Sequence, residues 1–364
     1  MAGDVTPRFS VLLPTHNRAD VIGYAIQSVL RQSQQDFELL IVGDGCTDDT
    51  AQLVVAFDDA RIRWFDLPKA PYYGYANRNI ALEEGRGEFI AFMAHDDILF
   101  PDHLEILATT LERTGKEWVY SRPLWVDLKG NIVAYPMNLE NDSELDVFLN
   151  HHNTIPASCV LHQRVCFEKY GYWPEDIPEA ADWHFWRRIL EGGGRTNFAQ
   201  CPEPTCLHFV ADWRRTQAPT YKSLDEPIVG SLPIPSEHTE QQVFFDAMVT
   251  GGDQWVAAMR RRTRRAVDRV AWRAMTELAP RLSAATKSLE ETSKCLAQVE
   301  AEKEELKREK SALGWEKDAL ERKRARLQRQ LSLVSQQLKA ISESTSWRVT
   351  SPLRALKNFV TQWR

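Results

Sequence analysis

Three short apolar segments of this chain each run directly into a group of polar residues. They are Phe9–Arg18 (FSVLLPTHNR), Leu39–Gly45 (LLIVGDG) and Phe89–Asp97 (FIAFMAHDD). In an open α/β sheet, ligands bind outside the carboxyl ends of the strands, so we expect the three polar groups to meet in one crevice. Asp and Asn also end strands and cap helices. Three such endings, the last with two adjacent carboxylates, favour a site that holds a polyanion through a divalent cation.

The polar residues of the first two segments, and of a later segment GYANRN, suit a nucleotide. A carboxylate at the end of the second strand can accept hydrogen bonds from a base, and the first strand end can face the base and the ribose. An Arg-Asn pair adds donors near the phosphates. The residues assigned to the nucleotide are Thr15, Asn17, Arg18, Asp44, Arg78, Asn79 and Asp96.

The adjacent acids Asp96 and Asp97 suggest the chemistry. A sugar that leaves a diphosphate builds negative charge on the leaving oxygen, and Mg²⁺ or Mn²⁺ held by carboxylates neutralises that charge without a proton. Two acids at a strand end are therefore expected of a sugar-transfer enzyme. The alternative is an Asp pair that only shapes a turn.

The elements that must position these residues alternate between short apolar strands and amphipathic helices from Phe9 to Leu124. This order predicts βαβ units and a mainly parallel sheet in a Rossmann-like α/β domain. Residues 125–211 are less regular and rich in aromatics, and we assign them to the same domain, 1–211, as the part that shapes an acceptor pocket. The predicted helices are Ala19–Gln32, Asp48–Phe57, Tyr75–Glu84 and Pro101–Glu112.

The chain changes character after residue 211. Residues 212–254 contain four prolines with little periodicity and are predicted to form a loop or linker. Residues 255–281 form a predicted basic helical segment, with seven arginines against one acid between Trp255 and Met275.

Residues 282–341 carry an unbroken heptad pattern, with Leu282 at the first a position and Ala285 at the first d position. Such spacing predicts a left-handed coiled coil, and at 1.5 Å per residue a continuous helix is a rod of roughly 90 Å. The four a positions from 303 to 324 are Lys or Arg. Because larger bundles bury more of this charge, we expect a homodimer. The alternative is a single solvated helix.

The C-terminal segment, 342–364, is basic and amphipathic. Leu353, Leu356, Phe359, Val360 and Trp363 fall on one helical face after a Ser-Pro start. This face suits either an anionic membrane surface or a partner chain.

The overall composition argues against a nucleic-acid-binding, membrane-spanning or secreted protein. The 364 residues carry a net charge of −6, which does not suggest a nucleic-acid partner, and 43% are hydrophobic, which is enough for a packed core. No apolar run reaches the length of a membrane span, and the first residues lack the apolar core of a signal peptide. We therefore expect a cytoplasmic protein that can lie peripherally on the inner face of the cell membrane and whose six cysteines stay reduced.

Phe9 to about His208 resembles family 2 glycosyltransferases of the GT-A fold. The resemblance rests on PTHNR, VGDGCTDDT, GYANRN, HDDILFPDHL, the Gly-Tyr-Trp-Pro segment from Gly171, and EAADWHFWRR from Glu179, in this order. It implies Asp44 at uracil or another base, Arg78 near the diphosphate, and Asp96 at the nucleotide and the metal. It further implies Asp182 as the general base of an inverting enzyme, which takes the proton of the acceptor hydroxyl.

The resemblance also bears on metal and acceptor binding. Asp96, Asp97 and His208 are the predicted metal ligands, although His208 is nearly as well explained as a core histidine. Sugar rings stack on aromatic faces, so Trp173 and Trp183 are candidate acceptor platforms. Trp183 and Trp186 are equally well explained as core residues.

Two positions depart from the family pattern. Ala94 replaces the first acid of an acid-x-acid triplet, and Ala181 replaces the acid before the general base, for which Glu179 is the nearest substitute. The resemblance implies a metal-dependent transfer of a sugar, from a UDP-sugar or similar donor, to a lipid-linked glycan of bacterial surface polysaccharide. The segment from Ser346 to Arg354 resembles the ends of such transferases. The alternative function is a catalytically weakened scaffold that organises partner enzymes through its coiled coil.

Overall fold

The computed structural model describes residues 6–134, 137–210, 228–273, 276, 279–309 and 317–343. The chain divides between Val267 and Asp268 into two compact units. The C-terminal segment predicted to be amphipathic lies outside the described residues from 344 onward.

The first unit alternates strands and helices, as the sequence predicts. Its strands are β1 (Phe9–Thr15), β2 (Phe37–Asp44), β3 (Ile62–Leu67), β4 (Phe89–Phe92), β5 (Ile98–Leu99), β6 (Trp118–Ser121), β7 (Leu124–Val126), β8 (Asn131–Ala134), β9 (Val160–Gln163), β10 (Ala199–Cys201), β11 (Cys206–Phe209) and β12 (Ile228–Ser231). Its helices are α1 (Ile22–Leu30), α2 (Thr50–Val55), α3 (Tyr75–Glu84), α4 (His103–Thr114), α5 (Asp142–Asn150), α6 (Val165–Tyr170) and α7 (Ala181–Gly193), and α8 (Glu240–Arg273) begins in this unit. The four predicted helices are α1 to α4.

The strands form two sheets. The larger has the order β10-β6-β9-β4-β1-β2-β3, and the smaller has the order β12-β8-β7-β11-β5. In the larger sheet β1 pairs in parallel with both β2 and β4, and β2 pairs in parallel with β3. Only β9 runs against its neighbours among the described strands of this sheet. The predicted α/β architecture with a mainly parallel sheet is confirmed.

Burial follows the parallel arrangement. Every residue of β2, and all but one of β1, is buried, because helices cover both faces of a parallel sheet. The smaller sheet has its own apolar cluster, in which Phe100, Val126 and Phe209 pack with Phe244 and Met259 of α8.

The predicted linker over 212–254 is wrong in its second half. Residues 228–231 form β12, which pairs with β8, and α8 begins at Glu240 and kinks at Gly252. The predicted boundary at 211 is also too early, because the first compact unit continues to Val267. The prediction rested on the prolines, which indicate irregular backbone. It overlooked the apolar face of α8, which packs on the smaller sheet.

The basic segment is not a separate element either. Arg260 forms a two-pronged ion pair with Asp102, at 2.7 and 2.8 Å, and donates to the Pro204 carbonyl. Arg264 lies 3.3 Å from Glu203. The start of the arginine-rich stretch therefore belongs to the packing of the first unit.

The second unit contains α9 (Ala279–Glu309) and α10 (Lys317–Glu343), which lie against each other. Glu300 lies 3.1 Å from Arg324, and Lys303 lies 4.0 Å from Glu321. In one straight helix these pairs are roughly 36 and 27 Å apart, so the prediction of a single rod is wrong. The two contacts run in opposite directions along the helices, which are therefore antiparallel.

The heptad seam is nevertheless visible in the burial of both helices. The described a and d positions are all partly or fully buried, with Val299 the most buried, while most other positions are exposed. The a and d positions, which were predicted to join two chains, thus lie between α9 and α10 of one chain. In the described residues of both units, no helix combines the length and the apolar composition needed to cross a bilayer.

Candidate active site

The predicted polar groups do meet at one edge of the larger sheet. Thr15 ends β1 and Asp44 ends β2, and these strands run in parallel register. The turn of residues 94–97 follows β4, which pairs with the other side of β1. The site therefore lies at the carboxyl ends of the central strands, as expected for this architecture.

Asp44 is held by the loop that precedes α3. Its carboxylate pairs with Lys69 and accepts hydrogen bonds from the Ala70 backbone at 2.8 Å and from the Asn77 amide at 2.7 Å. Gly74 has a φ of 70°, and a Cβ atom there meets the Asp44 carboxylate at 2.5 Å, so only glycine fits. Three of the roughly four acceptor positions of Asp44 are thus used. A nucleobase that donates to Asp44 therefore has one acceptor position left, because the loop occupies the others.

The polar side chains at the end of β1 differ in how fully they are hydrogen-bonded. The Thr15 hydroxyl is buried and has no partner among the described residues. Asn17 accepts from the Thr47 backbone at 2.7 Å and donates to its hydroxyl at 3.2 Å. Arg18 lies 3.3 Å from Asp20. Arg18 Nε forms no hydrogen bond within the described residues either, so the Thr15 hydroxyl and the Arg18 guanidinium are the groups of this set that can bind a ligand.

Arg78 lies at the centre of the candidate site. Its guanidinium packs over the rings of Tyr75 and Trp173, each at 5.1 Å. Burial lowers the pKa of Arg78, and the charges of Asp182 and Asp44 oppose that shift. Its Nε is buried without a partner in the described part of the chain. A partly buried cation with an unused N–H donor fits a phosphate.

The structure does not bring Asn79 and Trp173 to the site as ligand-binding groups. The Asn79 amide donates to the Trp173 carbonyl at 2.9 Å and to Glu175 at 2.8 Å, and it accepts from the Trp173 backbone at 3.2 Å. Trp173 is only 3% exposed and meets the Phe92 ring edge-on at 4.6 Å. The prediction that Trp173 stacks on an acceptor is wrong, because its faces are covered by protein.

The tryptophans of α7 differ from each other. Trp186 is fully buried, and its indole donates to His162 at 2.7 Å, so its assignment to the core is confirmed. Trp183 is partly exposed; it donates to the Phe148 carbonyl at 2.6 Å, and Arg187 packs over its ring. An acceptor sugar that stacks on Trp183 therefore competes with the Arg187 guanidinium for the ring.

Asp182 lies in the first turn of α7 and is partly buried. Its carboxylate accepts from the next backbone N–H at 2.8 Å and from the Asn153 amide at 3.4 Å. Burial raises the pKa of the neighbouring Tyr75 hydroxyl, and a hydrogen bond with the Ala181 backbone opposes that shift. Glu179 is exposed. The acid that adjoins the buried groups of the site is therefore Asp182.

Asp97 is fully committed to internal hydrogen bonds. Its carboxylate accepts from the Ser158 hydroxyl, from His208 Nδ1 at 2.9 Å and from the Phe209 backbone at 3.1 Å. Ser158 in turn accepts from the Ala94 backbone at 2.9 Å. Because a carboxylate only accepts, His208 carries a proton on Nδ1 and donates it to Asp97.

Asp96 has the more open carboxylate of the two. It lies 4.0 Å from His95 Nε2, and burial lowers the pKa of His95. In the part of the chain that the structure describes, no three Asp, Glu, His or Cys side chains come together as a metal-binding group. Mg²⁺ is often bound by one or two carboxylates together with substrate phosphates. The residues present therefore fit a cation that arrives with a diphosphate, with Asp96 rather than Asp97 as its acid.

Sequence reasoning missed Ser158, Lys69 and the role of Asn77. Asn77 lies inside the GYANRN segment that was assigned to the nucleotide, so its position in the sequence could have identified it as a site residue. Ser158 and Lys69 lie outside every motif, and only their contacts reveal them.

Residues 10–170 match the family model Glycosyl transferase family 2. This part of the chain is therefore similar to a family 2 glycosyltransferase domain. The match includes the ends of β1, β2 and β4, and it stops before Asp182 and His208, whose roles rest on resemblance and geometry.

Relatives extend this similarity. A Campylobacter jejuni protein named GalNAc(5)-diNAcBac-PP-undecaprenol beta-1,3-glucosyltransferase is 32% identical over 143 residues, which is 38% of this chain and 46% of that protein. Escherichia coli WfgD, named UDP-Glc:alpha-D-GlcNAc-diphosphoundecaprenol beta-1,3-glucosyltransferase, is 33% identical over 111 residues, which is 30% of this chain and 44% of WfgD.

Among solved structures, S. aureus TarS in complex with UDP-GlcNAc is 19% identical with a TM-score of 0.47, over 56% of this chain and 59% of that chain. The chain spans between 18% and 59% of the length of the first curated relatives it matches.

Proposed function

We propose that this protein is an inverting, metal-dependent glycosyltransferase that moves a sugar from a UDP-sugar to a lipid-linked glycan. The observation that carries the proposal is the position of Arg78. This partly buried cation interacts electrostatically with both Asp44, at the predicted base end, and Asp182, the predicted general base. One donor molecule can therefore span from base to reacting sugar across Arg78. The family 2 domain supports the reaction class.

The chemistry assigned to the chain is a single displacement. Asp182 accepts the proton of the acceptor hydroxyl as that oxygen attacks the anomeric carbon, and the nucleoside diphosphate leaves from the opposite face. Arg78 pairs with the phosphates, where negative charge accumulates. Thr15 and Asp44 orient the base.

A divalent cation, Mn²⁺ or Mg²⁺, supplies further neutralisation of the leaving diphosphate when bound. Asp96 is the residue that would hold it, together with the diphosphate, and Nε2 of His208, the ring nitrogen that does not bind Asp97, is a second candidate ligand. Asp97 holds His208 and the turn.

The acceptor is inferred from the relatives. Two of them are named as acting on glycans linked to undecaprenol through a diphosphate. We therefore propose a lipid-linked acceptor of bacterial surface polysaccharide and a location at the cytoplasmic face of the membrane. Salt-sensitive liposome flotation that needs residues 342–364 tests the membrane contact. Sedimentation equilibrium tests the homodimer, which now requires the helical pair of α9 and α10 to associate as a whole.

A scaffold without turnover is the second candidate function. Ala94 and Ala181 motivate it, and so does the commitment of Asp97 to Ser158 and His208, which leaves Asp96 as the one open acid of the pair.

The deciding experiment measures transfer and donor hydrolysis across a panel of nucleotide sugars, with Mn²⁺ and with chelator, for the wild type and Asp182→Asn. Turnover of one donor that needs both the metal and Asp182 supports the transferase. Binding of UDP with Mn²⁺, without turnover of any donor on a lipid-diphosphate acceptor, favours the scaffold. A Glu179→Gln chain is the matched control, because Glu179 is exposed and should be dispensable.

A further inference from the structure

Two neighbouring tyrosines project from the loop that precedes α3. Tyr72 is 51% exposed and Tyr73 is 42% exposed. Ile80, in the second turn of α3, is 42% exposed. Three of the seven most exposed large apolar side chains in the described residues thus lie within nine positions of one another, beside the candidate active site. An exposed apolar group of this kind commonly marks a binding surface.

The polar groups of this loop point inward and hold it in place. Lys69 and the Ala70 backbone both bind the Asp44 carboxylate, and the Tyr73 carbonyl accepts from Arg78 at 3.0 Å. Tyr72 has a φ of 56°, a left-handed conformation that a bulky residue rarely adopts. The loop therefore uses its hydrogen bonds for its own support and presents aromatic rings to solvent.

A short aromatic path connects this rim to the proposed general base. The Tyr73 ring lies 6.1 Å from the Tyr75 ring, and the Tyr75 hydroxyl hydrogen-bonds with the Ala181 backbone, next to Asp182. The rim is thus close to the base but outside the buried groups, Thr15 and Asp44, that are assigned to the nucleotide.

We propose that Tyr72 and Tyr73 form the platform on which the acceptor sugar stacks before Asp182 removes its proton. This inference rests on the proposed transferase function. The C–H face of a pyranose ring is apolar and packs on an aromatic face, whereas a nucleotide needs charged and hydrogen-bonding groups. Thr15 and Asp44, which are assigned to the nucleotide of the sugar donor, are buried, whereas Tyr72 and Tyr73 are exposed. A growing glycan that approaches the donor from solvent can therefore contact these two tyrosines. The platform replaces Trp173, which is covered.

The test compares a Tyr72→Ala/Tyr73→Ala chain with a Tyr72→Phe/Tyr73→Phe chain, which keeps both rings. Trp272→Ala is the matched control, because Trp272 is a 68% exposed aromatic in α8. The acceptor probe is N-acetylglucosaminyl diphosphate that carries a phenoxyundecyl chain. Each variant is assayed for the acceptor KM, for UDP affinity and for donor hydrolysis without acceptor.

The double alanine variant should raise the acceptor KM on the order of 10-fold, with UDP affinity and donor hydrolysis unchanged. The phenylalanine and Trp272→Ala chains should behave as wild type. An unchanged acceptor KM, or a loss of UDP affinity, overturns the platform. If the wild type turns over no donor, the proposed function fails instead. Saturation-transfer NMR then still measures binding of the acceptor probe in the presence of UDP. The probe signal should be lost in the double alanine variant alone, and a signal equal to that of the wild type overturns the platform.

Discussion

Ser158 offers a sharp test of how the turn that carries Asp96 is held. Its hydroxyl, fully buried, donates to the Asp97 carboxylate and accepts from the Ala94 backbone at 2.9 Å. It therefore joins both ends of the turn that follows β4. We predict that Ser158→Ala weakens the binding of UDP with Mn²⁺, although Ser158 itself belongs to no site motif.

The chain contains a matched control at the opposite edge of the same sheet. Ser10 is also fully buried, donates to the Glu38 carboxylate at 2.7 Å and accepts from the Gly87 backbone at 2.8 Å. Ser10 and Glu38 lie near the amino ends of β1 and β2, whereas the candidate site lies at their carboxyl ends. Ser10→Ala thus removes the same two kinds of hydrogen bond far from the site, together with a longer one of 3.3 Å that Arg164 donates to Ser10.

The magnitude follows from the hydrogen bonds that each variant loses. Loss of a hydrogen bond to a charged carboxylate costs about 1.5–3 kcal/mol, and a buried backbone N–H left without a partner costs about 1–3 kcal/mol. Each variant should therefore lose about 2.5–6 kcal/mol in free energy of unfolding. Only Ser158→Ala displaces groups beside the proposed diphosphate site, and we expect its Kd for UDP with Mn²⁺ to rise on the order of 10–100-fold.

Urea unfolding followed by tryptophan fluorescence measures the stability of both variants, and calorimetric titration with UDP and Mn²⁺ measures affinity under conditions where both are folded. Losses of stability within the same range, with weakened binding in Ser158→Ala alone, support the reasoning. Two results refute it: wild-type affinity in Ser158→Ala, or an equal loss of affinity in Ser10→Ala.

Other perturbations test the remaining features. Arg78→Gln should weaken UDP binding on the order of 10-fold but leave uridine binding unchanged, because uridine lacks the phosphates; equal losses for both ligands contradict the phosphate role. Burial lowers the pKa of His162 to about 3 and of His103 to about 4, so both stay neutral in the folded chain while the unfolded chain takes up protons below about pH 6.5. Stability should therefore fall as pH drops, by about 2 kcal/mol per histidine at pH 5. Urea unfolding at pH 7.5 and 5 measures this, and in a His103→Asn chain the difference should be smaller by about 2 kcal/mol. Cysteines placed at Glu300 and Arg324, with the exposed native cysteine replaced by serine, should form a disulfide within one chain; a covalent dimer on a non-reducing gel contradicts the antiparallel pairing.

The heptad region illustrates how far periodicity reaches. The sequence predicted the seam correctly, since the described a and d positions are the less exposed ones in α9 and α10. It did not predict the partner of that seam. Sevenfold spacing is a local property that is the same whether the stripe faces another chain or a later stretch of its own chain.

The candidate site shows the same limit. Asp96 and Asp97 are neighbours of identical type, yet Asp97 is bound by Ser158 and His208, which are 61 and 111 positions away in the sequence. Trp173 and Trp183 carried equal weight as acceptor platforms, but only Trp183 retains an exposed face. Residue type states what a side chain can do, and its distant neighbours decide whether it is available.

From its sequence alone, this protein can be assigned its alternating strands and helices, the parallel arrangement of its central strands and the meeting of its polar strand ends at one edge. These features follow from hydrophobic periodicity and from the geometry of βαβ units, which are local. Tertiary structure alone decided which polar groups remain open to a ligand, such as Thr15 and Asp96, and which are consumed, such as Asn79 and Asp97. It also decided that the helical region folds back on itself. The physical reason is that hydrogen bonds and seam contacts are made between residues far apart in the chain, and spacing along the sequence carries no record of them.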